Sequence, residues 1–225
     1  MQEKFYYNKL YSFQDEVLKL IDLAETDFYL TGGTALSRVY LKHRYSDDLD
    51  FFINNSNKFS TFVNKINNIL TKQYKEKIEI ITTADSFVRL HLKKDDIILK
   101  IDFVNDIEYR FGQLIKWEKF SKIDNQFNIL SNKISALPRY AEKDVADILF
   151  LAYHFNFNWE DIINDAQKKD IWVNAIDVSK IIDSFPIEKF SEIKWISKVK
   201  EEMLFNDLKI VAKEILIGSD NSLKK

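Results

Sequence analysis

Hydrophobic and polar positions along the chain follow two periods, and they divide it in two. Leu10, Phe13, Val17, Leu18, Leu20 and Ile21 recur at near-helical spacing, so the pattern predicts a helix over residues 8–25. A short apolar run at 27–30 leads into Thr-Gly-Gly, which reads as a strand followed by a tight turn. Ala35, Leu36, Val39 and Tyr40 then give a short amphipathic helix starting near Thr34. DLDFFI, 48–53, reads as a strand. Alternation puts Asp48, Asp50 and Phe52 on one of its faces and Leu49, Phe51 and Ile53 on the other. Phe62, Ile66, Ile69 and Leu70 mark another helix, and 77–83, 86–92 and 97–104 are three strand-like runs. The turn KKDD at 93–96 makes the last two a hairpin.

Beyond residue 106 the period changes. Helical patterns occupy 126–137, 143–155, 159–169, 174–183, 187–198 and 200–216, and the tail GSDNSLKK reads as frayed. The expected organisation is an α/β domain over 1–110 with a mainly antiparallel or mixed sheet. A helical domain over 111–225 follows it.

Composition narrows the function classes. The chain has 225 residues, 46% hydrophobic and 30% charged, which is globular composition. It has no cysteine, so disulfides and thiolate metal sites are excluded, and three scattered histidines argue against zinc. No apolar run approaches ~18 residues, so no membrane span is expected. MQEKFYYNKLYSF lacks the basic-then-apolar pattern of a secretory leader, and a cytoplasmic location is the expectation. The formal net charge of −2 argues against a dedicated DNA binder.

The chemistry concentrates in YLTGGTALSRVYLKHRYSDDLDFF. Asp48 and Asp50 share one face of an apolar strand, where two carboxylates repel each other and resist desolvation. A divalent cation removes both objections, since Mg²⁺ takes hard oxygen ligands, commonly one or two carboxylates plus substrate phosphates. Asp102, inside the apolar strand ILKIDFV and on the same face as Lys100, supplies a third carboxylate for a site of one or two metals. Asp47 reads as a bystander. Gly32 and Gly33 let backbone N–H groups approach a phosphate at a helix start, and Thr34 caps that helix or binds a phosphate oxygen. Arg44 and Ser46 precede the acids, and extended alternation carries both to the side of Asp48, where Arg44 can pair with carboxylates or a triphosphate. His43, His91 and His154 read as structural. Lys168, Lys169, Lys180, Lys189, Lys194, Lys198 and Lys200 interleave with Trp159, Trp172 and Trp195. Those tryptophans read either as core or as part of an RNA-binding surface.

Strand, Gly-Gly, helix and Asp-x-Asp strand, with a third Asp on a later strand, resembles the polymerase-β-like nucleotidyltransferase superfamily. "GGTAL", "HRYSDDLDFF", "LKIDF" and "LSNKISALPRYAEKDVADILFL" resemble, in the same order, the AbiEii/AbiGii toxin family of nucleotidyltransferases, from abortive-infection toxin–antitoxin pairs of phage defence. The resemblance implies a nucleotidyltransferase-type α/β fold whose helical domain completes the nucleotide cleft. It implies that Asp48, Asp50 and Asp102 hold Mg²⁺, with Mn²⁺ as the alternative. Gly32, Gly33, Thr34, Arg44, Ser46 and Lys100 would then serve the nucleoside triphosphate. The family's later Lys and Asp motifs fall on Lys133 and on Asp144 or Asp147. The implied acceptor is an RNA such as tRNA, or GTP, and the implied partner is a separately encoded antitoxin. Two other readings stay open: a small-molecule, antibiotic-type nucleotidyltransferase, and a non-catalytic NTP- or partner-binding module on the same fold.

Overall fold

The structure is a computed structural model that describes residues 2–224. The chain forms two compact units. One comprises residues 1–35 and 45–125, the other 36–44 and 126–225.

The first unit is built on a seven-stranded mixed sheet. Its strands are β1 (Tyr29–Thr31), β2 (Leu49–Asn54), β3 (Ile78–Ala84), β4 (Phe87–Lys94), β5 (Ile97–Asp106), β6 (Ile115–Trp117) and β7 (Phe120–Ile123). They lie in the order β3-β4-β5-β2-β1-β7-β6. β2 and β5 are parallel, as are β1 and β7; the other pairs are antiparallel. The sequence pattern does not display β6 and β7, because they are three and four residues long and β6 is largely exposed.

The sheet has one sealed face. Leu30, Leu49, Phe51, Leu90, Leu99, Ile101 and Phe103 point into a core. Two helices close it: α1, residues 2–22, and α3 (Phe59–Tyr74), through Phe13, Val17, Ile21, Ile66 and Leu70. Phe51 stacks on Phe103 with ring centroids 5.5 Å apart, and Phe28 meets Phe103 at 5.0 Å. Each such side chain removed from water stabilises the unit by about 1.5–3 kcal/mol. The other face carries polar side chains, and the candidate site is there. α1 contains a π-helical turn at Tyr6–Leu10, and α2, residues 32–41, is π-helical from Leu36 to Leu41.

The second unit is helical: α4 (Gln126–Ser135), α5 (Glu142–His154), α6 (Trp159–Lys169), α7 (Ala175–Asp183) and α8 (Glu201–Ile217), with 36–44. α5 is its central element. Val145, Ala146, Ile148, Leu149, Leu151 and Ala152 are all fully buried, so this helix is covered on most sides. Asn158 and Asn174 cap α6 and α7 by accepting from backbone N–H groups of the first turn.

Two expectations are corrected here. The helix read over 187–198 is a 3₁₀ segment at Ile187–Glu192, after which the chain extends. Trp195 pairs with Arg44 in an isolated bridge, and Ile196 N–H donates to the His43 carbonyl, so tertiary pairing overrides the local period. The tail, as far as Lys224, is also not frayed, and Lys225 lies outside the described residues. Gly218 ends α8 in the left-handed region, and Asn221 donates to the Ala152 and Phe155 carbonyls. Glu214, buried, accepts from Trp159 Nε1 and Ser222 N–H. Among the described residues no helix is long and apolar enough to cross a membrane.

Candidate active site

Strand pairing assembles the first cluster. Parallel register sets Asp50 beside Asp102, and antiparallel register sets Thr31 beside Asp50 and Arg89 beside Asp102. Neighbouring strands lie about 4.8 Å apart, so these side chains form one row across the polar face. Lys100 Nζ stands 2.6 Å from Asp48 Oδ2 and 4.0 Å from Asp102 Oδ2. Arg89 grips Asp102 with both prongs, Nε to Oδ1 at 2.8 Å and Nη2 to Oδ2 at 2.7 Å. That hydrogen bond is the main reason the Arg89 guanidinium holds its proton more tightly than usual; burial opposes it, and Asp48 and Asp50 add to it.

Gly32 is required where it stands. Its φ is +67°, in the left-handed region, and a Cβ there would meet Asp50 Oδ2 at 2.7 Å. The turn that opens α2 therefore lies directly against a site carboxylate, with backbone and no side chain between them.

The approach to Asp48 is held from outside the strand. Thr34 Oγ1 hydrogen-bonds Ser46 Oγ at 2.9 Å and also donates to the Asp48 carbonyl. Ser46 N–H donates to Tyr11 Oη at 3.3 Å, and Gln14 Nε2 donates to the Ser46 and Asp47 carbonyls at 3.3 and 3.1 Å. The Tyr6 hydroxyl donates to the Asp47 carboxylate, and the Tyr6 ring stacks on Tyr45 at 4.1 Å. Asp47 thus ties α1 to the loop. Thr34 and Ser46 are both buried, and their hydroxyls fix the loop.

The sequence reading missed Arg89, Tyr6, Tyr11 and Gln14. Signals for two of them were present. Counting outward from the two-residue turn at Asp95-Asp96 brings Arg89 opposite Asp102. Gln14 is a polar residue in the apolar stripe of α1, and it is fully buried.

A hard divalent cation fits Asp48 and Asp50. The Asp48 side chain is 41% exposed and already attracts an ammonium, and Gly32 leaves the flank of Asp50 without a Cβ. Asp102 gives both oxygens to Arg89. Among the described residues no three acidic or imidazole groups converge as a ready-made cation cage.

The second cluster belongs to the helical unit. Lys133 Nζ on α4 is 2.7 Å from Asp144 Oδ1 and 2.7 Å from Asp147 Oδ2, both on α5. Arg44 closes on Asp147 through Nε at 2.7 Å and Nη2 at 2.8 Å, and His43 Nε2 lies 2.8 Å from the same carboxylate. Arg139 Nε reaches Asp144 Oδ2 at 2.5 Å. Sequence alternation placed Arg44 toward the strand carboxylates or a triphosphate; in the structure its Nε and Nη2 meet Asp147, which the sequence reading did not pair with it.

Burial and pairing set the charges. Burial pushes the Asp147 carboxyl up, but Arg44 and Lys133 outweigh it and hold the group well below the carboxylate range. Asp144 is lowered in the same way, against its burial, by Lys133 and Arg139. Burial would lower Lys133, and Asp144 and Asp147 raise it instead. His43 is lowered by burial despite its bond to Asp147, so the neutral ring donates from Nε2.

The remaining candidates are structural in form. The Trp159, Trp172 and Trp195 indoles donate to Glu214, the Ser135 carbonyl and the Phe190 carbonyl. Lys169 Nζ is held by Asn128, Ser131 and Asn132. His154 Nδ1 lies 2.8 Å from the Phe150 carbonyl oxygen, and His91 is half-buried on β4.

The chain is 32% identical over 166 residues to an uncharacterised protein of Aquifex aeolicus (strain VF5), covering 70% of this chain and 72% of the relative. JHP933 of Helicobacter pylori, a solved structure, superposes with a TM-score of 0.64 at 20% identity over 94% of this chain and 93% of the other. MenT4, a nucleotidyltransferase toxin of Mycobacterium tuberculosis H37Rv, does so with 0.62 at 14% identity over 92% and 82%. These two share the fold. The family model described as nucleotidyl transferase AbiEii toxin, type IV TA system, matches residues 20–193, a span that contains the glycine turn, the strand acids and the Lys133–Asp147 pair. By that match this chain belongs to the AbiEii family of nucleotidyltransferase toxins.

Proposed function

We propose that this protein transfers a nucleotidyl group from a nucleoside triphosphate to an RNA acceptor such as tRNA, with release of pyrophosphate. The observation that carries the reading is the row Thr31–Asp50–Asp102 on adjacent strands, with Asp48 beside it and Gly32 pressed against Asp50. Asp48 and Asp50 would hold Mg²⁺, or Mn²⁺ in its place. When bound, the cation would neutralise charge on the transferring phosphoryl group and polarise it. Gly32 and Gly33 offer backbone N–H groups to phosphate oxygens. Lys100, beside Asp48, would offer its ammonium to phosphate oxygens, and Asp102, beside Asp50, would orient the acceptor hydroxyl. Lys133, with Asp144 and Asp147, fixes the helices of the second unit. The acceptor would be a host RNA, in the cytoplasm, and the activity would be opposed by a separately encoded antitoxin in an abortive-infection response.

The test is direct. The purified protein is incubated with each labelled NTP, Mg²⁺ and total tRNA. Label is expected on RNA from one or two of the NTPs and not in chelator. Transfer that survives Asp48→Ala/Asp50→Ala removes the site. Label on a soluble acceptor instead points to the small-molecule reading, and Mg-NTP binding without turnover points to a non-catalytic module.

A further inference from the structure

On the polar sheet face Asp48 and Asp102 each meet a cation, and these two cations are held differently. Lys100 meets Asp48 through one Nζ at 2.6 Å, at the end of a flexible stem. Arg89 meets Asp102 through a planar fork with both prongs engaged, at 2.8 and 2.7 Å. Its guanidinium also rests over the Phe87 ring at 5.3 Å. A single ammonium contact exchanges readily for a metal ion; a bidentate fork braced on a ring does not. Asp102 is 6% exposed, and the register of β4 against β5 presses Arg89 onto it.

We propose that Arg89 is a positioning residue: it retains both oxygens of Asp102 and leaves the divalent cation to Asp48 and Asp50. The inference rests on the metal-site reading above. It departs from the sequence expectation that all three acids ligate metal. Asp102 then acts as half of a neutral pair beside the metal site, and the apoprotein takes one cation.

Mn²⁺ alone is the probe, titrated into the full chain and followed by electron paramagnetic resonance, with no substrate present. Wild type is expected to bind one Mn²⁺ per chain. Asp48→Asn is expected to abolish binding and Asp102→Asn to retain it. Arg89→Met frees Asp102, so a second Mn²⁺ per chain or at least fivefold tighter binding is expected. Arg89→Met/Asp102→Asn should return to the wild-type isotherm, which a merely structural role for Arg89 would not produce. Two ions in wild type, one of them lost in Asp102→Asn, would overturn the proposal. So would an Arg89→Met isotherm identical to wild type. Should Arg89→Met fail to fold, Asp102→Asn decides: retained binding supports the proposal and lost binding overturns it. Wild type binding no Mn²⁺ would bring down the metal-site reading itself and this inference with it. The other adverse results remove only the role of Arg89.

Discussion

The chain holds two groups of aspartates, each facing two or more cations, and they are opposites. Asp144 and Asp147 are buried and matched by Lys133, Arg44 and Arg139 at 2.5–2.8 Å. Asp48 is 41% exposed and is met by one mobile ammonium. A network whose carboxylates, Lys133 and Arg44 are all buried is costly to open, because removing a carboxylate strands a buried cation. A partly solvated pair such as Asp48 and Lys100 can trade its resident cation for a metal. Charge count alone does not separate the two; burial and denticity do.

The comparison breaks most visibly at Asp147. Asp147→Ala leaves Arg44 and Lys133 charged and buried, and a loss of about 3–5 kcal/mol is expected in urea unfolding. Wild-type stability in that variant would mean the two groups do not differ in kind. The opposite behaviour is expected at the sheet. Asp48→Asn should lower transfer on the order of 10²-fold or more, with an unchanged or raised unfolding midpoint.

Smaller effects sharpen it. Gly32→Ala forces a side chain into the left-handed region and against Asp50. It should cost about 1–2 kcal/mol and weaken Mn²⁺ binding, while Gly33→Ala, which carries no positive φ, should do less. The pH dependence is gentler still and belongs to the buried group. His43 stays neutral when folded, so its contribution is present above the ordinary value of 6.5 and declines as pH falls below it. Asp144 and Asp147 are lowered, so theirs is present above 3.8 and is lost as pH falls through their folded values. Lys133 is raised, so its contribution is full below 10.5 and lost as pH climbs through the folded value. Equilibrium unfolding across pH should show an acid limb with a first shoulder near 6.5, and His43→Gln should remove that shoulder.

Much of the sheet was legible in the sequence. Strand alternation put Asp48 and Asp50 on one face and Asp102 with Lys100, and the pairing of β2 with β5 keeps them so. The turn at Asp95-Asp96 fixed a register that also contained Arg89, although a lone arginine in SFVRLHL carries no sign of its partner. The support from Tyr6, Tyr11 and Gln14 depends on contacts between positions more than thirty apart, which periodicity does not encode. The Arg44–Asp147 contact was not legible for a related reason. Local alternation assumes an extended chain within one unit, and the chain changes unit at the next residue. The C-terminal tail looked frayed because it is polar, yet Asn221 finds its carbonyls on α5, far away in sequence.

The short segment 36–44 bears on how such a gene can change. It lies early in the chain, but the helical unit owns it. A fragment starting at Gln126 would lack His43 and Arg44, and Asp147 would face Lys133 alone. Neither unit can then be inherited, swapped or expressed as a block bounded by a single crossover. Descent should have kept the two together, and domain shuffling that spares this family's activity should need three breakpoints, one of them inside HRYSDDLD.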